Sequence, residues 1–411
     1  MIKGKKKLAN NIFMLYILNF TQLALPLVTL PYLTRVLSVN SYGVVSYVKS
    51  IMAYATLIIE FGFMFSGVND VVNAHDDKEK LGKILYRITL AKLILSIFSF
   101  IILIVMILTI PLLHKYPLFT ILSFIPSFLS IFLFDYLFRG LEEMQIVTFR
   151  FLIAKSISTI LTFIVIKNDN QLLLLPILDI IGSGVAVLWV QYEINRLNLK
   201  LKQDSLGNIF KAIQNSFTYF VSDLAGTVFV PLNTFFVGLI LAPKDIAYWG
   251  VLTSILSAIQ SLYSPISNGI YPRMIATKSL SLFLKIIFIF IPCLVGGSLI
   301  TFFGADLIVS IIGGTKYIPA ALYLKESIPQ IVISFFSILC GWPLLGAINK
   351  IKENTLTTGI AAVTQVIGLT ILIISKHFSL TTLIIIRTLA ELTLPISRSL
   401  FAYKYKELFN K

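Results

Sequence analysis

Apolar residues in this chain come in long runs, not in the alternation of a half-buried strand or the narrow stripe of a surface helix. Twelve runs are long enough to cross a hydrocarbon layer of about 30 Å, which takes about 20 helical residues each. They fall near 11–33, 42–66, 88–110, 117–138, 148–167, 171–192, 216–241, 246–271, 281–303, 326–348, 355–375 and 379–401. The pattern predicts an all-α integral membrane protein of about 12 transmembrane helices. The largest connections are 67–87, 193–215 and 304–325, and none is long enough for an independent catalytic domain.

Composition agrees with the pattern. Of 411 residues, 57% are hydrophobic and 13% are charged, whereas a soluble domain is about 45–50% apolar and 25% charged. The net charge of +15 could suggest nucleic acid, but its placement argues against that partner. With the N-terminus inside, 23 of the 34 Lys and Arg residues flank the inside ends of spans, seven flank the outside ends and four lie within spans. That bias predicts cytoplasmic termini, with basic patches that contact anionic membrane lipids. The Lys-rich start followed by an apolar run is too long for a signal peptide and contains Asn19, Gln22, Pro26 and Pro31, so it reads as the first span.

The two halves echo each other. Pro26-Leu-Val-Thr29 returns as Pro231-Leu-Asn-Thr234, Tyr42 as Tyr248, and Tyr136-Leu-Phe-Arg-Gly140 as Trp342-Pro-Leu-Leu-Gly346, at offsets of 205 or 206. Six spans separate the copies, so both halves cross the membrane in the same sense. The expectation is two six-helix bundles, 1–205 and 206–411, related by a parallel pseudo-repeat with a path between them.

Candidate chemistry is sparse outside the spans. Cys293 and Cys340 sit within apolar runs and read as small buried side chains. His75, His114 and His377 are scattered, and Gly313-Gly314 lacks the Lys-Ser/Thr of a phosphate-binding loop. No enzyme activity, cofactor or metal is expected. Inside the spans the picture differs. Lys49, Glu60, Lys92, Asp135, Lys155, Asp179, Asp223, Arg387 and Glu391 lie in or at the margins of apolar runs. A charge at such depth costs about 2.5–3.5 kcal/mol even on the lenient insertion scale and marks a functional or paired site. Lys92 and Lys155, close to span starts, are expected to snorkel to the interface. Arg387 with Glu391 and Asp135 with Arg139 are each four apart and are expected to pair.

With the repeat in view, Leu30-Pro-Tyr-Leu-Thr-Arg35, Ser41-Tyr-Gly-Val44, Glu60-Phe-Gly62 and Asp135-Tyr-Leu-Phe-Arg-Gly-Leu-Glu-Glu-Met144 resemble the polysaccharide repeat-unit flippases. These are the O-antigen and capsule exporters of the multidrug/oligosaccharidyl-lipid/polysaccharide superfamily. Pro231-Leu-Asn-Thr234, Tyr248 and Tyr271-Pro-Arg273 carry the likeness into the second half. Asn69-Asp70 stands where family members often have arginine. The resemblance implies alternating-access export of undecaprenyl-diphosphate-linked oligosaccharide repeat units across the bacterial cytoplasmic membrane. It also implies a polysaccharide polymerase and assembly proteins as partners.

Such a substrate needs cations for the diphosphate and hydroxyl or amide groups for the sugars. Lys49 is the first candidate for the diphosphate and Arg35 the second. Asn19, Gln22 and Thr29 of span one and Asp223 and Asn233 of span seven are candidate sugar contacts. Glu60 and Asp179 are candidates for a coupling ion. A cation-coupled multidrug-type exporter is the competing reading, disfavoured by Lys49 and Arg35 in the cavity. A membrane polymerase or glycosyltransferase would need a larger outside loop.

Overall fold

The computed structural model describes residues 2–74 and 77–409; His75 and the C-terminal Lys411 lie outside the described residues. Among the described residues there is no β-strand. Eleven helices are long and apolar enough to cross a membrane, and a twelfth is reached if the bent pair Leu206–Gly226 and Phe229–Ile240 is one span. The chain divides into two compact units, Met1–Leu224 and Ala225–Lys411.

The first unit runs α1 (Ile2–Val36), α2 (Val39–Glu60), α3 (Phe63–Ala74), α4 (Lys78–Thr109), α5 (Pro111–Lys115), α6 (Pro117–Leu129), α7 (Asp135–Gly140), α8 (Met144–Val165) and α9 (Leu174–Arg196). α10 (Leu206–Thr227) follows and contains the unit boundary. The second unit continues with α11 (Asn233–Ile240), α12 (Pro243–Ser261), α13 (Tyr263–Thr277), α14 (Leu280–Gly313), α15 (Ala320–Glu326), α16 (Ile328–Leu339), α17 (Ile351–Ile374) and α18 (Leu380–Lys404).

Element order repeats between the units. α2 breaks into α3 at Phe61-Gly62, and α12 breaks into α13 at Leu262. The long α4 is matched by the long α14. α6 gives way through a 3-10 turn, Ser130–Leu133, to α7, while α16 runs into a π-helical stretch, Cys340–Gly346. The prolines of the repeated motif differ in effect. Pro26 and Pro31 are accommodated inside α1, whereas Pro231 lies in a π-helical stretch, Val228–Leu232.

Several helices extend past the apolar runs, and side-chain caps fix the N-terminal ends of α2, α4, α14 and α18. Asp77 caps α4, accepting hydrogen bonds from the backbone N–H groups of Glu79 and Lys80, and the Lys80 N–H above all holds its carboxyl below the ordinary range. Ser38 caps α2, and Ser379 with Thr382 forms a capping box on α18. The connections expected at 67–87 and 304–325 are therefore mostly helix: α3 reaches Ala74 before α4 begins at Lys78, and α14 with α15 fills most of the latter.

Two glycines show how tightly the first unit is packed. Gly62 has φ +75, and a Cβ there would lie 2.6 Å from the Tyr219 Cβ of α10. The preceding Phe61, itself left-handed at φ 42, stacks on Phe220 of α10 with centroids 4.4 Å apart. Gly182 lets α9 lie directly on α8, since a Cβ would collide with the Ala154 carbonyl oxygen. Small residues at a helix seam are how membrane helices approach closely without a hydrophobic driving force. Gly184, two residues on, has nothing within 4 Å of its would-be Cβ. Gly182→Val should therefore cost about 1–3 kcal/mol and lower the unfolding temperature in detergent, while Gly184→Val should not; equal effects would contradict the α8–α9 seam.

Candidate functional site

Pro26 is where the site begins. Its missing N–H frees the carbonyl of Gln22, one turn earlier, and both residues line a cavity of about 370 Å³ inside the first unit. Five helices form its wall: α1 (Thr21, Gln22, Pro26, Thr29), α2 (Lys49, Met52), α6 (Ser123, Ser127), α8 (Lys155, Ser158, Thr159, Thr162) and α9 (Asp179). Backbone freed by proline is tolerated at membrane depth where it faces such a cavity.

The charges on this wall are Lys49, Lys155 and Asp179, an excess of one positive charge. Asp179 is engaged: it accepts a hydrogen bond from Ser158 Oγ at 2.7 Å and its Oδ1 lies 3.4 Å from Lys155 Nζ. Lys49 makes no hydrogen bond or ion pair among the described residues and is exposed to the cavity. The hydroxyls of the wall mostly donate inward to their own helices. Thr21 donates to the Ile17 carbonyl at 2.8 Å, Thr29 to Leu25 at 2.5 Å, Ser123 to Phe119 at 2.7 Å and Thr162 to Ser158 at 2.7 Å. With their protons so committed, these oxygens present acceptor lone pairs, which suit a ligand rich in hydroxyl donors. The cavity thus offers an ammonium for an anion and a ring of acceptors for hydroxyls.

Of the residues singled out from sequence, Lys49, Gln22, Thr29 and Asp179 come together here. The others do not. Arg35 is exposed at the end of α1 and donates to the Pro31 carbonyl at 2.6 Å, so it answers the second proline of its own helix. Asn19 lies off the cavity wall and is exposed; Asp223 is half-buried on α10. Asn233 is fully buried in the second unit, donating to the Phe229 carbonyl at 2.6 Å and accepting from Gln365 Nε2 at 2.9 Å, which makes it a tie between helices. Glu60 accepts from Lys92 Nζ at 2.7 Å and from Ser130 Oγ at 3.1 Å.

Several pairings differ from expectation. Lys92 does not snorkel; it is 2% exposed, held by Glu60 from α2 and lying over the Tyr136 ring at 5.7 Å. Lys155 turns to the cavity and Asp179 instead of the interface. Asp135 pairs with Arg150 of α8 through both guanidinium and carboxylate forks, not with Arg139. Asp135 is the first residue of α7, directly after the left-handed Phe134. Arg387 and Glu391 lie beyond ion-pair distance of each other among the described residues. Asp70, where the resemblance would place arginine next to Asn69, binds Arg87 of α4 at 2.6 Å.

Sequence reasoning missed the contribution of α8. The signal was present: Lys155, Ser158, Thr159 and Thr162 recur at i, i+3, i+4 and i+7, a polar stripe on one helical face.

Among the described residues, eleven or twelve apolar helices with a charged and hydroxyl-lined cavity have the architecture of a multi-pass membrane protein. Solved structures agree on the fold. The inward-facing conformation of a multidrug resistance MATE family transporter of the MOP superfamily superposes with a TM-score of 0.64 at 12% identity, covering 93% of this chain and 98% of that one. A eukaryotic MATE transporter gives 0.60 at 11% identity over 99% of each chain. The chain belongs to the polysaccharide biosynthesis protein family, whose profile matches residues 8–278. It is 26% identical over 363 residues to a protein of Escherichia coli (strain K12) named as an O-antigen transporter, covering 85% of this chain and 86% of that protein. A Shigella dysenteriae protein of the same name is 25% identical over 354 residues, covering 82% and 85%.

The Lys92–Glu60 pair gives a test of which intramembrane charges are structural. Lys92→Met strands Glu60 among helices at a cost of up to about 3 kcal/mol. Membrane abundance and unfolding temperature should fall, and adding Glu60→Gln should restore most of both. A double variant as unstable as the single one would contradict the pairing.

Proposed function

We propose that the protein is a flippase for undecaprenyl-diphosphate-linked oligosaccharide repeat units, working by alternating access in the cytoplasmic membrane with both termini in the cytoplasm. The observation that carries the reading is the unpaired Lys49 in a cavity whose net charge is positive and whose hydroxyls present acceptors. A diphosphate is a strong anion, and an ammonium attracts it more strongly in low dielectric than in water. The sugars are rich in O–H donors and match the acceptor ring, while the polyprenyl tail stays in lipid. The similarity to the O-antigen transporters of Escherichia coli and Shigella dysenteriae supports the substrate class. Export of this kind moves a molecule without making or breaking a bond, so no catalytic residue is assigned.

Lys49 binds the diphosphate in this account. Lys155 and Asp179 form an ion pair beside it that can open as the anion arrives, and Gln22 and Thr29 contact sugars. Arg35, at the far end of α1, offers a second cation near the outer surface. A multidrug-type exporter, the class of several solved relatives in fold, would take cationic drugs, and a wall with two lysines against one aspartate repels them.

Complementation of a flippase-null strain tests the assignment. Lys49→Ala should abolish surface polysaccharide while membrane abundance, followed by blot, stays normal. Lys49→Arg should retain part of the export, because the charge survives while its shape changes, and Lys49→Glu should be worse than alanine. Normal export by both the alanine and glutamate variants would overturn the role of Lys49.

A further inference from the structure

One face of α18 carries three ionisable residues, Arg387, Glu391 and Arg398. Their spacings of four and seven keep them within about 40° of one another around the helix. Arg398 is answered by neutral acceptors: it donates to the Ser337 carbonyl and, at 3.1 Å each, to the hydroxyls of Thr357 and Thr358. Arg387 is not answered. It is 3% exposed, its Nε and Nη1 have no hydrogen-bond partner, and among the described residues no carboxylate forms an ion pair with it. The Trp249 ring, 5.9 Å from the guanidinium carbon, meets the cation but gives its N–H groups no acceptor in their plane. A guanidinium does not deprotonate in a protein, so the charge stays and must be met.

The helix alongside supplies the second part of the site. Ser337 of α16 faces α18, since its Oγ donates to the Glu391 carbonyl at 3.3 Å and its own carbonyl accepts from Arg398. Ser334 and Gln330 lie one and two turns earlier on the same face, 1% and 0% exposed. Just before α16, the Glu326 carboxylate accepts from Thr381 Oγ1 at 2.9 Å. The contacts Glu326–Thr381 and Ser337–Glu391 hold nearly the same offset in numbering, so α16 and α18 run side by side and Gln330 stands level with residues 384 and 385. Helical side chains lean toward the N-terminus of their helix, which brings the Arg387 guanidinium back to that level. Gln330, like Arg387, is left open: among the described residues neither its Oε1 nor its Nε2 has a hydrogen-bond partner.

We propose that Arg387 and Gln330 hold a small monovalent anion, chloride, between α16 and α18. The register places the partnerless guanidinium nitrogens of Arg387 and the partnerless amide of Gln330 at one level between the helices, and buried unsatisfied donors of this kind call for a bound ion or water. Both side chains are nearly inaccessible, which favours a monatomic ion over a phosphate. The ion gives Arg387 a directly bonded counter-charge in addition to the more distant Glu391, so a stripe with two arginines and one glutamate is stable in hydrocarbon. The site lies in the second unit and is independent of the cavity around Lys49.

The test is thermal unfolding of the purified full-length protein in detergent, with sodium gluconate exchanged for sodium chloride at constant ionic strength. Chloride should raise the midpoint saturably by about 2 °C or more, and bromide should act likewise. Arg387→Gln should lose the response. Gln330→Glu builds a carboxylate into the site, so this variant should be stable without chloride and indifferent to it. Glu391→Gln should keep the response. An equal salt effect in wild type and Arg387→Gln would overturn the proposal. So would a wild type indifferent to chloride that is destabilised by Glu391→Gln, because Glu391 would then be the partner. If Arg387→Gln does not accumulate, an undiminished chloride response in Gln330→Glu overturns it alone.

Discussion

A charge carried into hydrocarbon must be met by an opposite charge, by oriented dipoles or by water, and that requirement organises the interior of this protein. In the first unit it is satisfied between separate helices: Glu60 of α2 with Lys92 of α4, and Asp135 of α7 with Arg150 of α8, while Asp70 of α3 and Arg87 of α4 pair nearer the span ends. Such pairs contribute modest net stability, because desolvation offsets most of their attraction. Their stronger effect is to penalise every packing in which one partner is separated from the other, which fixes how α2, α3, α4, α7 and α8 assemble.

Against that background the wall around Lys49 stands out. Structural charges here are paired head to head, with Lys92 nearly inaccessible. Lys49 instead faces open volume without a bonded partner, beside an ion pair that uses only one oxygen of Asp179. The proline in α1 contributes a free carbonyl to the same volume, and hydroxyls from three helices turn acceptors toward it. A packed core that needed no ligand would gain from filling this space with apolar side chains. Retaining a cation and acceptors there fits the binding role proposed for this cavity.

The class of fold was legible in the sequence, because hydrocarbon thickness imposes a run length that few other constraints mimic. Lys49, Gln22, Thr29 and Asp179 line one cavity, while Arg35, Asn19, Asp223, Asn233 and Glu60, singled out on similar grounds, do not. What could not be read was partnership. Lys92 and Lys155 sit near span starts, so depth alone suggested snorkelling; their true partners lie on other helices, where spacing along the chain carries no information. Asp135 and Arg139 share α7 at the spacing the four-residue rule asks for, yet the Asp135 carboxylate is taken by Arg150 of α8, a partner that spacing along the chain cannot reveal. Arg387 and Glu391 obey that rule and still do not meet, since equal spacing brings two side chains to one face without making their rotamers converge. Helix ends were misjudged for a separate reason: caps such as Asp77 extend helices beyond the apolar run that reveals them.

The central claim is that the cavity bounded by α1, α2, α6, α8 and α9 holds the diphosphate and first sugars of a lipid-linked glycan, with Lys49 as the anchoring cation. Site-specific photocrosslinking tests it most directly. A photoreactive amino acid at Gln22 or Thr159, in cells that make radiolabelled polyprenyl-diphosphate oligosaccharide, should capture labelled glycan. The yield should fall sharply when Lys49→Ala is added and remain when an exposed lipid-facing residue such as Phe288 is replaced by alanine. Capture that is undiminished by Lys49→Ala, or absent from both cavity positions while the protein exports normally, would contradict the account.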